Sequence, residues 1–210
     1  MKVTKYPQSC LLIERDNKRI IIDPGSLVTG KYKATDLLPL DAILITHEHP
    51  DHADPSLIIA LVGQAGIPVV ANESATKMLG NLVNKTISDN EEFEVAGFKI
   101  KARDLPHCAM VDGSPGPQNT GYVIESTFFH PGDGIKISDL TVQTTAVPIA
   151  GPDISPRDVH EFIESVGCNT VIPIHYEYFP ADPNFYKRLL SSDGKFDVIV
   201  LNNGESTEIK

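Results

Sequence analysis

The chain has 210 residues, a formal net charge of −10 and a sequence pI near 5.1, with 41% of residues hydrophobic and 22% charged. That length is enough to bury a core in one domain, taken here as residues 1–210, and the acidic balance argues against a broad nucleic-acid surface, which needs clustered Lys and Arg. No run reaches the roughly 18 apolar residues of a membrane span, no apolar leader opens the chain, and three scattered cysteines, Cys10, Cys108 and Cys168, fit a reducing cytoplasm better than a disulfide framework.

Residues 9–23 predict a hairpin: Cys10 to Ile13 is apolar, Arg15 to Lys18 is turn-like, and Arg19 to Ile22 is apolar again before Asp23-Pro24-Gly25 breaks the strand. Asp41 to Thr46 reads as a short buried strand. Pro55 to Ala65 predicts a helix with Asp54 as its N-cap and proline in the first turn. Strand 68–70, helix 74–79 and the alternating strand Phe98 to Ala102 follow. Strands are then expected at 121–125, 127–130 and 141–147. Ser155-Pro156 opens a helix to about Val166, with Val159, Phe162, Ile163 and Val166 on one face. Strand 170–174, helix 184–190 and strand 197–201 complete the chain. Hairpins followed by strand–helix alternation in each half predict a mixed α/β domain.

Three of the seven histidines fall in the stretch His47-Glu48-His49-Pro50-Asp51-His52, directly after the buried strand 41–46. In extended backbone, residues i and i+2 point the same way, so His47 and His49 can converge on one ion while Glu48 points elsewhere. Asp51 and His52, past the Pro50 bend, can face a second. Imidazole and carboxylate together suit Zn, Mn, Fe or Ni. Three further ligand-type residues sit at strand-to-loop transitions, where α/β proteins commonly build sites: His107, Asp133 and His175.

The spacing His47-x-His49-x-Asp51-His52 resembles the signature of the metallo-β-lactamase superfamily. Ile21-Ile22-Asp23-Pro24-Gly25 is similar to that family's early strand-end aspartate motif, Asp133 to its bridging aspartate, and Pro173-Ile174-His175-Tyr176 to its last ligand histidine. The nearest branch by this resemblance is the small stand-alone hydrolases that include L-ascorbate-6-phosphate lactonase. It implies a four-layer αββα sandwich of two similar halves with the site at one edge. It further implies His47, His49 and His107 on one divalent ion, Asp51, His52 and His175 on a second, Asp133 bridging, and Asp23 orienting a ligand histidine. Zinc is the expected metal, with Mn, Fe or Ni as substitutes. The expected reaction is attack by a metal-bridging hydroxide on a small ester, lactone or phosphodiester, with Asp51 steering the nucleophile or taking its proton.

Two other activities remain open on the same scaffold: an iron-dependent oxidoreductase of the persulfide dioxygenase type, and an RNA phosphodiesterase, which the net charge disfavours. The expected partner is a small molecule, with no membrane and no nucleic acid; a homo-oligomer is left open. One departure stands out. Relatives in this branch often carry a histidine just before the Ser-Cys pair, where this chain has Gln8, so the substrate is expected to differ. Glu48 is taken as solvated or supporting, His130 as structural, His160 as a surface residue, Cys108 as a buried apolar residue, and Tyr176, Tyr178 and Phe179 as core in preference to pocket lining.

Overall fold

The computed structural model describes residues 1–192 and 194–209. In chain order the elements are β1 (Lys2–Lys5), β2 (Leu11–Arg15), β3 (Lys18–Ile22), α1 (Ser26–Thr29), α2 (Ala34–Leu37), β4 (Ala42–Ile45), α3 (Pro55–Ala65), β5 (Val69–Ala71), α4 (Glu73–Leu79), β6 (Lys85–Thr86) and β7 (Glu92–Val95). Then come β8 (Phe98–Pro106), β9 (Gln118–Ile124), β10 (Phe128–His130), β11 (Thr144–Pro148), α5 (Pro156–Val166), β12 (Thr170–Ile174), α6 (Pro183–Leu190), β13 (Asp197–Val198) and β14 (Ser206–Glu208).

Among the described residues the strands form two sheets, ordered β14-β1-β2-β3-β4-β5-β6 and β13-β12-β11-β10-β9-β8-β7. The layering follows from the two-residue period of a strand. In β4, Ala42 and Leu44 face the other sheet, while Ile43 and Ile45 face the helices. In β10, Phe128 faces inward and Phe129 outward. The central core therefore lies between the sheets. A second core packs α3 and α4 on the first sheet through Leu57, Ile58, Leu61 and Leu79. A third packs α5 and α6 on the second through Val159, Phe162, Ile163 and Leu190. This is the expected αββα sandwich. Each fully buried aliphatic or Phe side chain contributes about 1.5–3 kcal/mol by leaving water.

Local chemistry sets the helix ends. Asp54 accepts from the amides of Ser56 and Leu57, and α3 stops at Gly66, whose φ of 62° is left-handed. Ser155 and Asp158 form a capping box at the start of α5.

The two halves repeat one plan. An antiparallel pair (β2–β3, then β9–β10) leads into parallel strands (β3 to β6, then β10 to β13). Parallel strands end at a common edge. Asp23 follows β3, His47 follows β4, Asp133 follows β10 and His175 follows β12. Strand β8 runs parallel to β10 because both are antiparallel to β9, so His107 emerges at that edge too.

Several elements exceed the sequence expectation. Strands β1, β6, β7 and β14 and the one-turn helices α1 and α2 were not expected; they are short and mostly lack an apolar run. Strand β8 continues to Pro106 and β9 starts at Gln118, because polar Arg103 and Asp104 pair with Gly121 and Thr120 in the ladder. Strand β11 lies at 144–148 rather than 141–147, and β13 ends at Val198 rather than 201.

Candidate metal centre

The structure brings all seven expected ligand residues together. One group holds His47, His49, His107 and Asp133, and the other Asp51, His52 and His175, with the ligand atoms of each group within 4.8 Å of one another. Asp133 stands between the groups. Its Oδ1 is 3.1 Å from His52 Nε2, and its Oδ2 is 3.1 Å from His175 Nε2, 3.4 Å from His107 Nε2 and 3.9 Å from His47 Nε2. Asp51 Oδ2 is 3.5 Å from His175 Nε2 and 3.8 Å from His52 Nε2.

The outer nitrogens decide which atoms face inward. His52 Nδ1 donates to Asp23 at 2.8 Å, His175 Nδ1 to the Ala150 carbonyl at 2.7 Å, and His107 Nδ1 to the Cys108 carbonyl at 2.6 Å. Thr46 Oγ1 gives its one proton to Asp23 at 2.7 Å, so it accepts from His47 Nδ1 at 3.0 Å. Each tether fixes a proton on Nδ1, so that Nε2 is the atom directed into the site and the one whose lone pair a cation would take. The Nε2 atoms of His52, His107 and His175 and Oδ1 of Asp133 are buried without a hydrogen-bond partner. Four such atoms converging on one spot fit a cation there, since buried polar atoms are otherwise almost always paired. His47 Nε2 and His49 Nδ1 face each other at 3.1 Å, close to the roughly 3.3 Å spanned by two nitrogens on one tetrahedral zinc.

Without a cation the cluster holds itself together with protons. Burial opposes charge on His107 and His175, but Asp133 outweighs it and lifts both to about 10. His52 is likewise raised well above its ordinary value against burial, by Asp133 and Asp23. Burial would raise the two carboxyls, but the imidazoles prevail: Asp133 is held well below the usual carboxylate range, by His175 and His52, and Asp51 falls to about 2. His47 and His49 are lowered by burial and by neighbouring imidazoles.

Asp23, buried and left-handed at φ 53°, accepts from Thr46 N, Thr46 Oγ1 and His52 Nδ1. Asp23 therefore holds the His52 ring by a hydrogen bond to its Nδ1. Gly25 brings the β3–α1 corner against the histidine loop, where Ser26 N donates to the Pro50 carbonyl at 2.8 Å and Asp54 N to the Pro24 carbonyl at 3.2 Å. Gly132 (φ 62°) lets the Asp133 loop pass Asn119, whose Oδ1 would lie 2.1 Å from any Cβ there.

Residues outside the expected set also shape the site. Gln8 is fully buried, with φ 64°; its Nε2 donates to Asp51 Oδ2 at 2.8 Å and its Oε1 accepts from Tyr178 N at 3.1 Å. The departure noted in the sequence therefore falls on a residue that holds Asp51. Behind it, the fully buried Lys5 pairs with Glu177 at 2.7 Å, and Glu177 accepts from Gln8 N at 2.8 Å. Thr46 gave no signal as a site residue and Gln8 only that of a departure from relatives, because neither is a metal-ligand type.

His130 is structural, as expected: Nε2 donates to the Ser9 carbonyl and Nδ1 accepts from Gly132 N. His160 is half-buried at the surface beside Glu164, as expected of a residue outside the site. Cys108 is buried and belongs to neither ligand group. Glu48 joins neither group. The core reading holds for Tyr176, which packs against the third core, but not for Tyr178 and Phe179. Tyr178 is 63% exposed, and both line a cavity of about 280 Å³ over the two candidate ligand groups. Lys5 and Glu177 anchor the strand end, and the turn swings these two rings outward.

Residues 2–175 match the β-lactamase superfamily domain. The chain belongs to the β-lactamase superfamily. One relative, the UPF0173 metal-dependent hydrolase of Thermococcus onnurineus, is 32% identical over 215 residues, covering 92% of this chain and 93% of that one. The expected class, a metal-dependent hydrolase of this superfamily, holds at that level. The solved structure of a metallo hydrolase from Ignicoccus hospitalis superposes with a TM-score of 0.81 at 23% identity over 100% of this chain and 99% of the other. CmlA, a diiron β-hydroxylase from Streptomyces venezuelae, reaches 0.73 at 15% identity over 99% of this chain and 54% of its own. Both likenesses concern the superfamily fold. Among the described residues, no helix is long and apolar enough to cross a membrane.

Proposed function

We propose that residues 1–210 form one hydrolase domain that binds two divalent cations, zinc by preference, and cleaves a small ester, lactone or phosphodiester in the cytoplasm. His47, His49 and His107 would hold one ion, Asp51, His52 and His175 the other, and Asp133 would serve both. The carrying observation is the set of four buried, unpartnered atoms on His52, His107, His175 and Asp133. The shared central core and the pairing of β14 with β1 support a single unit. Three buried free cysteines suit a reducing compartment.

Divalent ions in such a site supply a water whose pKa is near 7 and polarise the oxygen of the scissile group. The chain's own residues set the geometry. The Nδ1 tethers fix four imidazole rings before substrate arrives, so little reorganisation remains during reaction. Asp51 lines the cavity with Oδ2 engaged by Gln8, which leaves Oδ1 free to accept a hydrogen bond from the attacking water. A carboxylate held near pH 2 keeps its charge at neutral pH, so Asp51 orients that water rather than storing its proton.

Elemental mass spectrometry on protein purified without a chelating tag tests the reading. About two Zn or Mn per chain, with hydrolysis lost in Asp133→Ala and His175→Ala, is the expected result. Folded variants that keep full metal content and full rate would refute the ligand set. Iron at about one per chain, with oxygen uptake on a persulfide, would replace hydrolysis with the oxidoreductase reading.

A further inference from the structure

The cavity above the ligands has a one-sided character. Its floor is His49, Asp51, His107, Asp133 and His175. Its walls are Pro50, Met110, Val111, Pro152, Tyr178 and Phe179, with the small uncharged Ser26 and Cys108 among them. Among the described residues, no Lys or Arg lines it. Val111 is 80% exposed and Tyr178 63%, and the Tyr178 and Phe179 rings meet edge-on at 5.2 Å. Large apolar side chains left in water at the mouth of one small cavity mark a place where an apolar group docks. The Lys5 ammonium is fully buried against Glu177, Asn203 and the Tyr6 carbonyl, with nothing left to offer a ligand. Lys136 lines an adjoining cavity, but in company with Asp153 and Asp158.

We propose that the substrate is a carbonyl ester or lactone whose far end is an uncharged hydrocarbon or aromatic group, seated between Met110–Val111 and Tyr178–Phe179, and not a compound with a phosphate or carboxylate arm. This deepens the hydrolase reading and rests on it. A phosphate arm needs bidentate Arg, a Lys or a set of backbone amides to replace its water. Apart from Ser26 and Cys108, which carry no charge to offer, these walls present thioether, aliphatic and aromatic surface instead. In the reaction, the oxygen of water bonds to the carbonyl carbon, the bond from that carbon to the leaving oxygen breaks, and a water proton ends on that oxygen. An ester yields acid and alcohol; a lactone yields a hydroxy acid.

The test uses metal-loaded full-length protein and two matched series of γ-lactones: unbranched alkyl tails of increasing length, and the same tails ending in carboxylate or phosphate. The expected result is a rise of about two- to fourfold in kcat/KM per methylene for the first few carbons. Each anionic tail should be at least about tenfold poorer than its neutral partner, and Phe179→Ala should flatten the chain-length slope. Anionic tails that match or exceed neutral ones overturn the proposal and leave hydrolysis standing. If neither series is hydrolysed by protein carrying its full metal complement, the hydrolase reading fails on this substrate class. Hydrolysis-resistant lactams with the same tails then decide the pocket by thermal shift: stabilisation by neutral tails alone supports the proposal, and equal or reversed preference overturns it.

Discussion

Replacing Gly25 with alanine isolates the packing that sets the Asp51–His52 segment. Gly25 has φ −91° and ψ −177°, extended backbone that alanine adopts without strain. The whole effect is therefore steric. A Cβ there would lie 1.9 Å from the Asp51 carbonyl oxygen, 2.1 Å from its carbon and 2.6 Å from His52 N, all rigid backbone. Reaching ordinary contact at about 3.4 Å requires a shift of about 1.5 Å. That movement must come from the β3–α1 corner or from the peptide that joins two proposed ligands. Forced overpacking of this kind costs about 1–3 kcal/mol, which for a chain of this size lowers Tm by roughly 2–12 °C. A misplacement of about 1 Å at a reacting centre costs about a hundredfold in rate. Elemental analysis with thermal unfolding reads both effects: Gly25→Ala should fall from about two ions per chain towards one, because the damage lies on the Asp51–His52–His175 side. Gly30→Ala is the control, since its Cβ would meet nothing nearer than 3.7 Å. A Gly25→Ala protein with two ions and a Tm within about 1 °C of the parent would refute the reasoning.

Other substitutions probe the supports. Asp23→Asn puts a donor where Asp23 Oδ2 accepts from both Thr46 Oγ1 and His52 Nδ1; metal affinity should drop about 10–100-fold, and unchanged affinity by competition with a chromophoric chelator would argue against the tether. Gln8→Ala strips the Asp51 hydrogen bond and leaves the Tyr178 amide without its acceptor, at about 1–3 kcal/mol; a thermal midpoint equal to the parent's would contradict this. In metal-free protein, His107 and His175 titrate near 10 against an ordinary value of 6.5. A folded-state pKa above the unfolded one gives stability that is complete below about pH 6.5 and lost as pH rises towards 10. The Tm of chelator-treated protein should therefore fall between about pH 7 and 9, while metal affinity rises over the same range because protons compete for the ligand nitrogens. A flat or rising Tm in the metal-free state would remove the proton-held cluster.

Ligand-type residues were legible in the sequence because their chemistry is scarce: imidazoles crowded at 47, 49 and 52 behind a buried strand have little to do there except share a cation. The long elements were equally plain, α5 through its single apolar face and α3 through Asp54 and Pro55. What stayed hidden depends on partners distant in the chain. Strand β1 ends in a lysine that no apolar pattern would bury; Lys5 is inside only because Glu177 and Asn203 meet it there. Strand β14 is Ser-Thr-Glu, a polar edge with no alternation to detect. Gln8 announced itself only as a departure, and its grip on Asp51 needed coordinates. Tyr178 and Phe179 were misjudged because a propensity for burial says nothing of a turn that swings two rings out over a cleft.

The sheet order also governs timing during synthesis. Strand β1 joins the first sheet between β2 and β14, and residues 206–208 supply that last partner. The His175 amide donates to the Gln8 carbonyl at 3.1 Å, across most of the chain. Synthesis releases these segments long after β1, so β1 emerges with one edge bare and must wait for its partner. Such long-range pairing slows folding and leaves the nascent first half exposed to association with other chains.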